Sequence, residues 1–190
     1  MANKEEHLRE ALHRSPILSQ FEEPNTLVLD ELVVRQGLAR IDVAVLNGKL
    51  LGFEIKSQSD SLRRLPRQME HYNQVFDQMS LVASSCHLEK SINLIPDWWG
   101  IVKAPDNRPM QLEVVRKSKP NPHQDPLAIA QFLWRWEALS ELEERDMDWG
   151  VRSKKRIEIC MRLAENLSLE EVKSVVLNRL KERENWRSDS

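Results

Sequence analysis

Between Arg40 and Tyr72 the chain places Asp42, then Glu54-Ile55-Lys56, then Gln68 and Tyr72 four residues apart. Ionised side chains are costly inside apolar runs unless they are paired or bind something. Two carboxylates and an ammonium within RIDVAVL and GFEIK therefore point to a metal site. Carboxylate oxygens suit Mg2+ or Mn2+, hard cations that keep several waters and bridge readily to phosphate. Held by Asp42, Glu54 and the main-chain carbonyl of Ile55, such an ion would acidify a bound water and neutralise charge developing on a phosphate. Lys56 would orient or deprotonate that water, or stabilise the transition state. The plainer alternative for the same residues is a salt-bridge cluster on a half-exposed sheet, which would contribute little.

These groups meet only if two strands are in the right register. Asn47-Gly48 between alternating apolar runs is a strong hairpin signal. A two-residue loop there would set Asp42 opposite Phe53 and leave Glu54 on the other face. A three-residue loop with Gly48 in the left-handed position, or a bulge, restores parity. Asp42, Ala44, Gly52, Glu54 and Lys56 then share one face, and Ile41, Val43, Val45, Phe53 and Ile55 fill the other. The odd-length loop is the expectation.

The remaining elements follow from apolar periodicity. Residues 3–14 read as an amphipathic helix, SPILSQFEEPNT as a loop, and 26–37 as a strand closed by Gly37. A helix is expected over 62–79, where Leu62, Leu65, Met69, Tyr72, Phe76 and Met79 form one stripe and Pro66 makes the first turn short or irregular. A buried strand at 79–85 then implies a parallel crossover. HLEKSINLI reads as a short helix, and WGIVKA and MQLEVVRK as strands around a turn at Asp106 to Pro109. KSKPNPHQDP carries three prolines, which sets a boundary after residue 117. Beyond it, 126–145, 153–166 and 168–184 are helical in pattern, with a Ser168/Glu171 capping box opening the last.

Composition narrows the classes. At 41% hydrophobic and 31% charged residues, the chain has the make-up of a soluble globular protein with one substantial core. Its 28 Lys and Arg against 30 Asp and Glu exclude nucleic-acid binding by bulk positive charge and leave only local basic patches. Cys86 and Cys160 match no CxxC pattern and read as reduced thiols, and the five histidines lack zinc spacing. The charged opening MANKEEHLREAL has no signal-peptide core, and no run is long enough to span a membrane, so a cytoplasmic protein is expected.

Asp42 followed by Glu54-x-Lys56 on the next strand, with Gln68-x-x-x-Tyr72 on the following helix, resembles the PD-(D/E)XK nuclease superfamily in its RecB-type QxxxY form. The run EIKSQSDSLRRLPRQMEHY with PDWWG is similar to an uncharacterised bacterial subfamily of those nucleases. The resemblance covers residues 1–117; Ile41 stands where many members carry proline. It implies an α/β, restriction-endonuclease-like mixed central sheet flanked by helices, with a C-terminal helical module at 118–190. It further implies a Mg2+-dependent deoxyribonuclease serving repair, restriction or mobile-element defence, with Gln68 positioning substrate or water and Tyr72 beside it. Members often add an acidic ligand from the first helix. Glu10 is the lead candidate here, with Glu6 and Glu31 as the others.

Arg63, Arg64, Arg67 and His71 are the candidate phosphate contacts beside the site. The C-terminal helices resemble SAP-type DNA-binding modules, which would put Arg152, Lys154, Lys155 and Arg156 on phosphates; a helical cap or a dimerisation element is the competing reading. DNA is the expected partner, with a homodimer or a subunit of a larger complex as the assemblies considered. The alternative function is a nucleic-acid-binding or partner-docking domain that keeps the fold without turnover.

Overall fold

The computed structural model describes residues 4–21, 23–105 and 111–183. The turn expected at Asp106 to Pro109 lies outside them. The chain divides into two compact units, Met1–Pro122 and His123–Ser190.

The first unit is mixed α/β. Its strands β1 (Leu27–Val34), β2 (Ala39–Leu46), β3 (Leu50–Lys56), β4 (Gln78–Ser84), β5 (Gly100–Ala104) and β6 (Glu113–Arg116) lie side by side in chain order. The β1–β2, β2–β3 and β5–β6 pairs are antiparallel, and the β3–β4 and β4–β5 pairs are parallel. Leu46 pairs with Leu50, so Asn47, Gly48 and Lys49 form a three-residue loop. Gly48 takes φ +85°, the left-handed geometry that a residue without Cβ adopts at little cost. The odd parity needed to bring Asp42 level with Glu54 is thus present.

Alternation along the strands separates two buried faces. On one, Leu8 and Leu12 of α1 (Lys4–His13) and Leu18 of α2 (Pro16–Ser19) join Val43, Val45, Leu51, Phe53 and Ile55 in a single apolar cluster. Burying each of those leucines contributes about 1.5–3 kcal/mol. The other face carries Gly52, Glu54 and Lys56, and α3 (Leu65–Tyr72) reaches it through Gln68 and Tyr72. A further helix, α4 (Leu88–Leu94), lies between β4 and β5 in the chain.

Three expected elements differ. The SPILSQ segment is not all loop, because Ile17 and Leu18 draw it onto the core and Pro16 opens the short helix α2. The helix expected over 62–79 ends at Tyr72, preceded by a 3-10 turn at Leu62–Arg64. It stops because Asp77 is tied to the start of β3: its N–H donates to the Leu50 carbonyl at 2.7 Å, and its carboxylate accepts the Leu50 N–H at 2.8 Å. Phe76 and Met79 keep the helical spacing in sequence, but they are buried from a turn and from β4. In the second unit the run 126–145 breaks into α5 (Pro126–Ala130) and α6 (Arg135–Glu143). Trp134 is extended there, and its N–H is taken by the Glu137 carboxylate at 2.6 Å.

Helices α7 (Arg156–Asn166) and α8 (Leu169–Glu182) complete the second unit, and α8 opens on the Ser168/Glu171 box. The proline-rich stretch stays with the first unit as far as Pro122. The Lys119 N–H donates to the Trp98 carbonyl at 2.8 Å, and the Asn121 side chain donates to the carbonyls of Asn73 and Phe76, each at 2.7 Å.

Gly100 is fixed by close approach. A Cβ there would lie 2.6 Å from Ser80 Oγ, 3.0 Å from the Ser118 nitrogen and 3.2 Å from the Arg116 oxygen. Two of those neighbours are backbone and cannot rotate away. Gly100→Ala is expected to cost about 1–3 kcal/mol by overpacking, read as a lower urea midpoint with an unchanged m-value.

Candidate functional site

Glu54, Lys56, Gln68 and Tyr72 come together as one buried network. Glu54 is 1% exposed and Lys56 6%. Lys56 Nζ donates to Glu54 Oε1 at 2.5 Å and to Gln68 Oε1 at 3.2 Å. Gln68 Nε2 donates to the same Glu54 oxygen at 2.8 Å. The Tyr72 hydroxyl lies 2.6 Å from the Arg40 carbonyl and 2.8 Å from Glu54 Oε2. Both carboxylate oxygens of Glu54 are therefore already engaged.

Burial pushes the Glu54 carboxyl up, against the pull of Lys56 and its hydrogen bonds. Burial and then the Glu54 charge push the Tyr72 phenol far above its ordinary range.

Asp42 belongs to a second group. The β2–β3 ladder is paired up to Val43 and Phe53, and the Ile55 N–H is taken by Asp42 Oδ2 at 2.6 Å. Across β1 the pairing skips Glu31, a non-glycine residue at φ +59°. That conformation costs a non-glycine residue roughly 1–2 kcal/mol. Single carboxylate oxygens of Glu5, Glu31 and Asp42 lie within 4.8 Å of one another. Arg9 bonds to both Glu5 and Glu31, and Arg40 Nε reaches Glu31 at 2.6 Å. Burial, then the Glu54 charge, pushes the Asp42 carboxyl up to about 8.

The expected ligand set is thus divided. Glu54 is committed to Lys56, Gln68 and Tyr72, and Ile55 offers its N–H to Asp42. Glu10 and Glu6 are exposed, and Glu10 faces Arg14 at 4.0 Å. Of the three acidic candidates only Glu31 joins Asp42; the helix supplies Glu5 instead. In this trio Arg9 and Arg40 already oppose the charges of Glu5 and Glu31, and both Glu54 oxygens are engaged within its own network. Glu5, Arg9 and Arg40 were missed in the sequence. The available signal was that Glu5 continues the Leu8/Leu12 stripe at helical spacing, which places a charge at the head of a buried face.

Arg63 and Arg64 are exposed in the 3-10 turn that leads into α3, and Arg67 is exposed in the first turn of α3, on the same helix as Gln68. Burial, followed by the charge of Arg35, lowers the His71 pKa. In the second unit Lys155 is exposed, Lys154 pairs with Glu158 at 3.4 Å, and Arg156 donates to the Gln131 carbonyl at 3.1 Å.

The family model of bacteriophage P4 protein cII matches residues 2–190. The chain belongs to that family. Protein cII of Enterobacteria phage P4 is 26% identical over 179 residues, 93% of this chain and 64% of the relative. The chain therefore spans less than two thirds of the relative's length. No solved structure matches. The cII membership overturns the assignment to the PD-(D/E)XK superfamily, and with it the expectation of a Mg2+-dependent deoxyribonuclease. Among the described residues no helix is long and apolar enough to cross a membrane.

Proposed function

We propose that this cII-family chain is a nucleic-acid-binding domain that works without turnover, with DNA as its ligand and a restriction-endonuclease-like sheet as its scaffold. The reading rests on the surface at the head of α3. Among the described arginines, only Arg63, Arg64 and Arg67 have no carboxylate or carbonyl partner for their side chains. Each of the other described arginines has such a partner. Three free guanidiniums at spacings of one and three residues repel one another and sit at the positive end of a helix, which is unfavourable without an anion. A phosphate backbone supplies that anion, and arginine forks match its oxygens.

The buried Glu54–Lys56–Gln68–Tyr72 network supports the same reading. It joins β3 to α3 and so fixes the helix that carries Arg67 and follows the turn carrying Arg63 and Arg64. Fluorescence anisotropy with a labelled DNA duplex in EDTA tests the proposal. The combined Arg63→Ala, Arg64→Ala, Arg67→Ala variant is expected to bind roughly tenfold or more weakly, and duplex incubated with Mg2+ should be recovered intact. Equal binding by the variant would refute the assignment of this surface.

A further inference from the structure

Trp149 is 85% exposed, the most solvent-open large apolar side chain among the described residues. It precedes Gly150, whose φ of +77° makes the turn after α6. The loop that presents it is fastened on both sides. Asp148, 8% exposed, accepts from the Arg152 guanidinium, and the Val151 N–H donates to the Asp148 carbonyl at 3.1 Å. Arg135 donates to the carbonyls of Arg152 and Lys154, and Arg162 lies 3.4 Å from those of Met147 and Trp149. Three arginines thus hold the backbone and leave the indole in water.

The chemistry around the indole selects a partner. Arg152, Lys154 and Lys155 are exposed within six positions of it, and the stretch 148–158 holds four cations against two carboxylates, Asp148 and Glu158. A lone preorganised indole flanked by cations suits an unpaired base stacked on its face with the adjoining phosphates on the cations. An anionic lipid surface would be met by the same cations, but the aromatic would then be expected among exposed aliphatic neighbours on one helix face. Here it stands at a polar turn.

We infer that the 148–156 loop of the helical unit is a single-stranded nucleic-acid site, with Trp149 as the stacking platform and Lys154 and Lys155 as phosphate contacts. The inference rests on the nucleic-acid reading above but uses different residues in a different unit, so the two can fail separately. The experiment measures anisotropy of labelled oligothymidylate, an abasic oligonucleotide of equal length and a DNA duplex, with the full chain as wild type, Trp149→Ala and Trp149→Phe. Trp149→Ala is expected to lose about tenfold in oligothymidylate affinity, Trp149→Phe to keep most of it, and duplex binding to stay unchanged. The abasic strand should bind wild type and Trp149→Ala equally weakly. Unchanged oligothymidylate binding by Trp149→Ala, or equal wild-type affinity for abasic and base-bearing strands, overturns the stacking site. Trp149-dependent binding to phosphatidylglycerol vesicles without oligonucleotide binding overturns it in favour of a membrane surface. Loss of duplex binding in wild type itself would count against the proposed function as well.

Discussion

Lys56→Met is expected to lower the stability of the first unit by about 3–5 kcal/mol, because it removes one partner of a buried ion pair. Glu54 is 1% exposed, and among the described residues Lys56 is its only cation within bonding distance, at 2.5 Å. Methionine keeps the length of the side chain, so the loss is electrostatic rather than a cavity. Pairing it with Glu54→Gln removes the stranded charge while an amide still meets Gln68 and Tyr72. The double variant should therefore recover most of the loss, a non-additivity that marks direct coupling. The sign with pH is also set. Burial already pushes the Glu54 carboxyl up, and without Lys56 it rises further, so the single variant's deficit should shrink as pH falls and Glu54 takes a proton. Urea midpoints for the two singles and the double decide it. A Lys56→Met cost below about 1 kcal/mol would place the pair in the class of surface bridges.

Asp42→Asn should flatten the pH dependence of stability. Burial first, and the Glu54 charge second, hold the folded Asp42 carboxyl at about 8, against 3.8 for the free group. A raised carboxyl pKa makes the folded state the tighter proton binder. Its contribution is complete below pH 3.8, declines as pH rises, and is lost above about 8. Asparagine still accepts the Ile55 N–H and does not titrate. In EDTA the variant should gain on wild type from pH 5 to 8, then run parallel to it. The full difference is on the order of 5 kcal/mol. Curves that stay parallel from pH 5 to 8 would mean that Asp42 is ionised in the folded protein.

The hairpin and its parity could be read in advance because Asn47-Gly48 and strict alternation are local signals. The same holds for Glu54, Lys56, Gln68 and Tyr72, whose meeting follows from period two along β3 and a four-residue step on α3. What could not be read was which atoms each group would satisfy. Asp42 stands level with Glu54, yet its carboxylate turns to the Ile55 N–H and the Glu5/Glu31 group, a choice made by the strained backbone at Glu31 and by Arg9 on α1. Helical spacing could place Glu5 at the head of the buried stripe, but it could not say which group across the fold it would meet. The early end of α3 is another case, since Asp77 is captured by Leu50. The PD-(D/E)XK resemblance rested on strand and helix spacing alone. Motif residues that meet in a buried network can serve as structure, and the cII family match removes the inference from motif to hydrolysis.

The salt dependence of duplex binding tests the central claim most directly, because phosphate contacts release counterions in proportion to their number. Affinity for a DNA duplex in EDTA would be measured across a range of NaCl concentrations for wild type and for the combined Arg63→Ala, Arg64→Ala, Arg67→Ala variant. The wild-type log–log plot should fall steeply, and the variant's slope should be shallower by about 3, one for each lost guanidinium contact. Identical slopes for the two proteins, or wild-type affinity that does not change with salt, would contradict nucleic-acid binding through the head of α3.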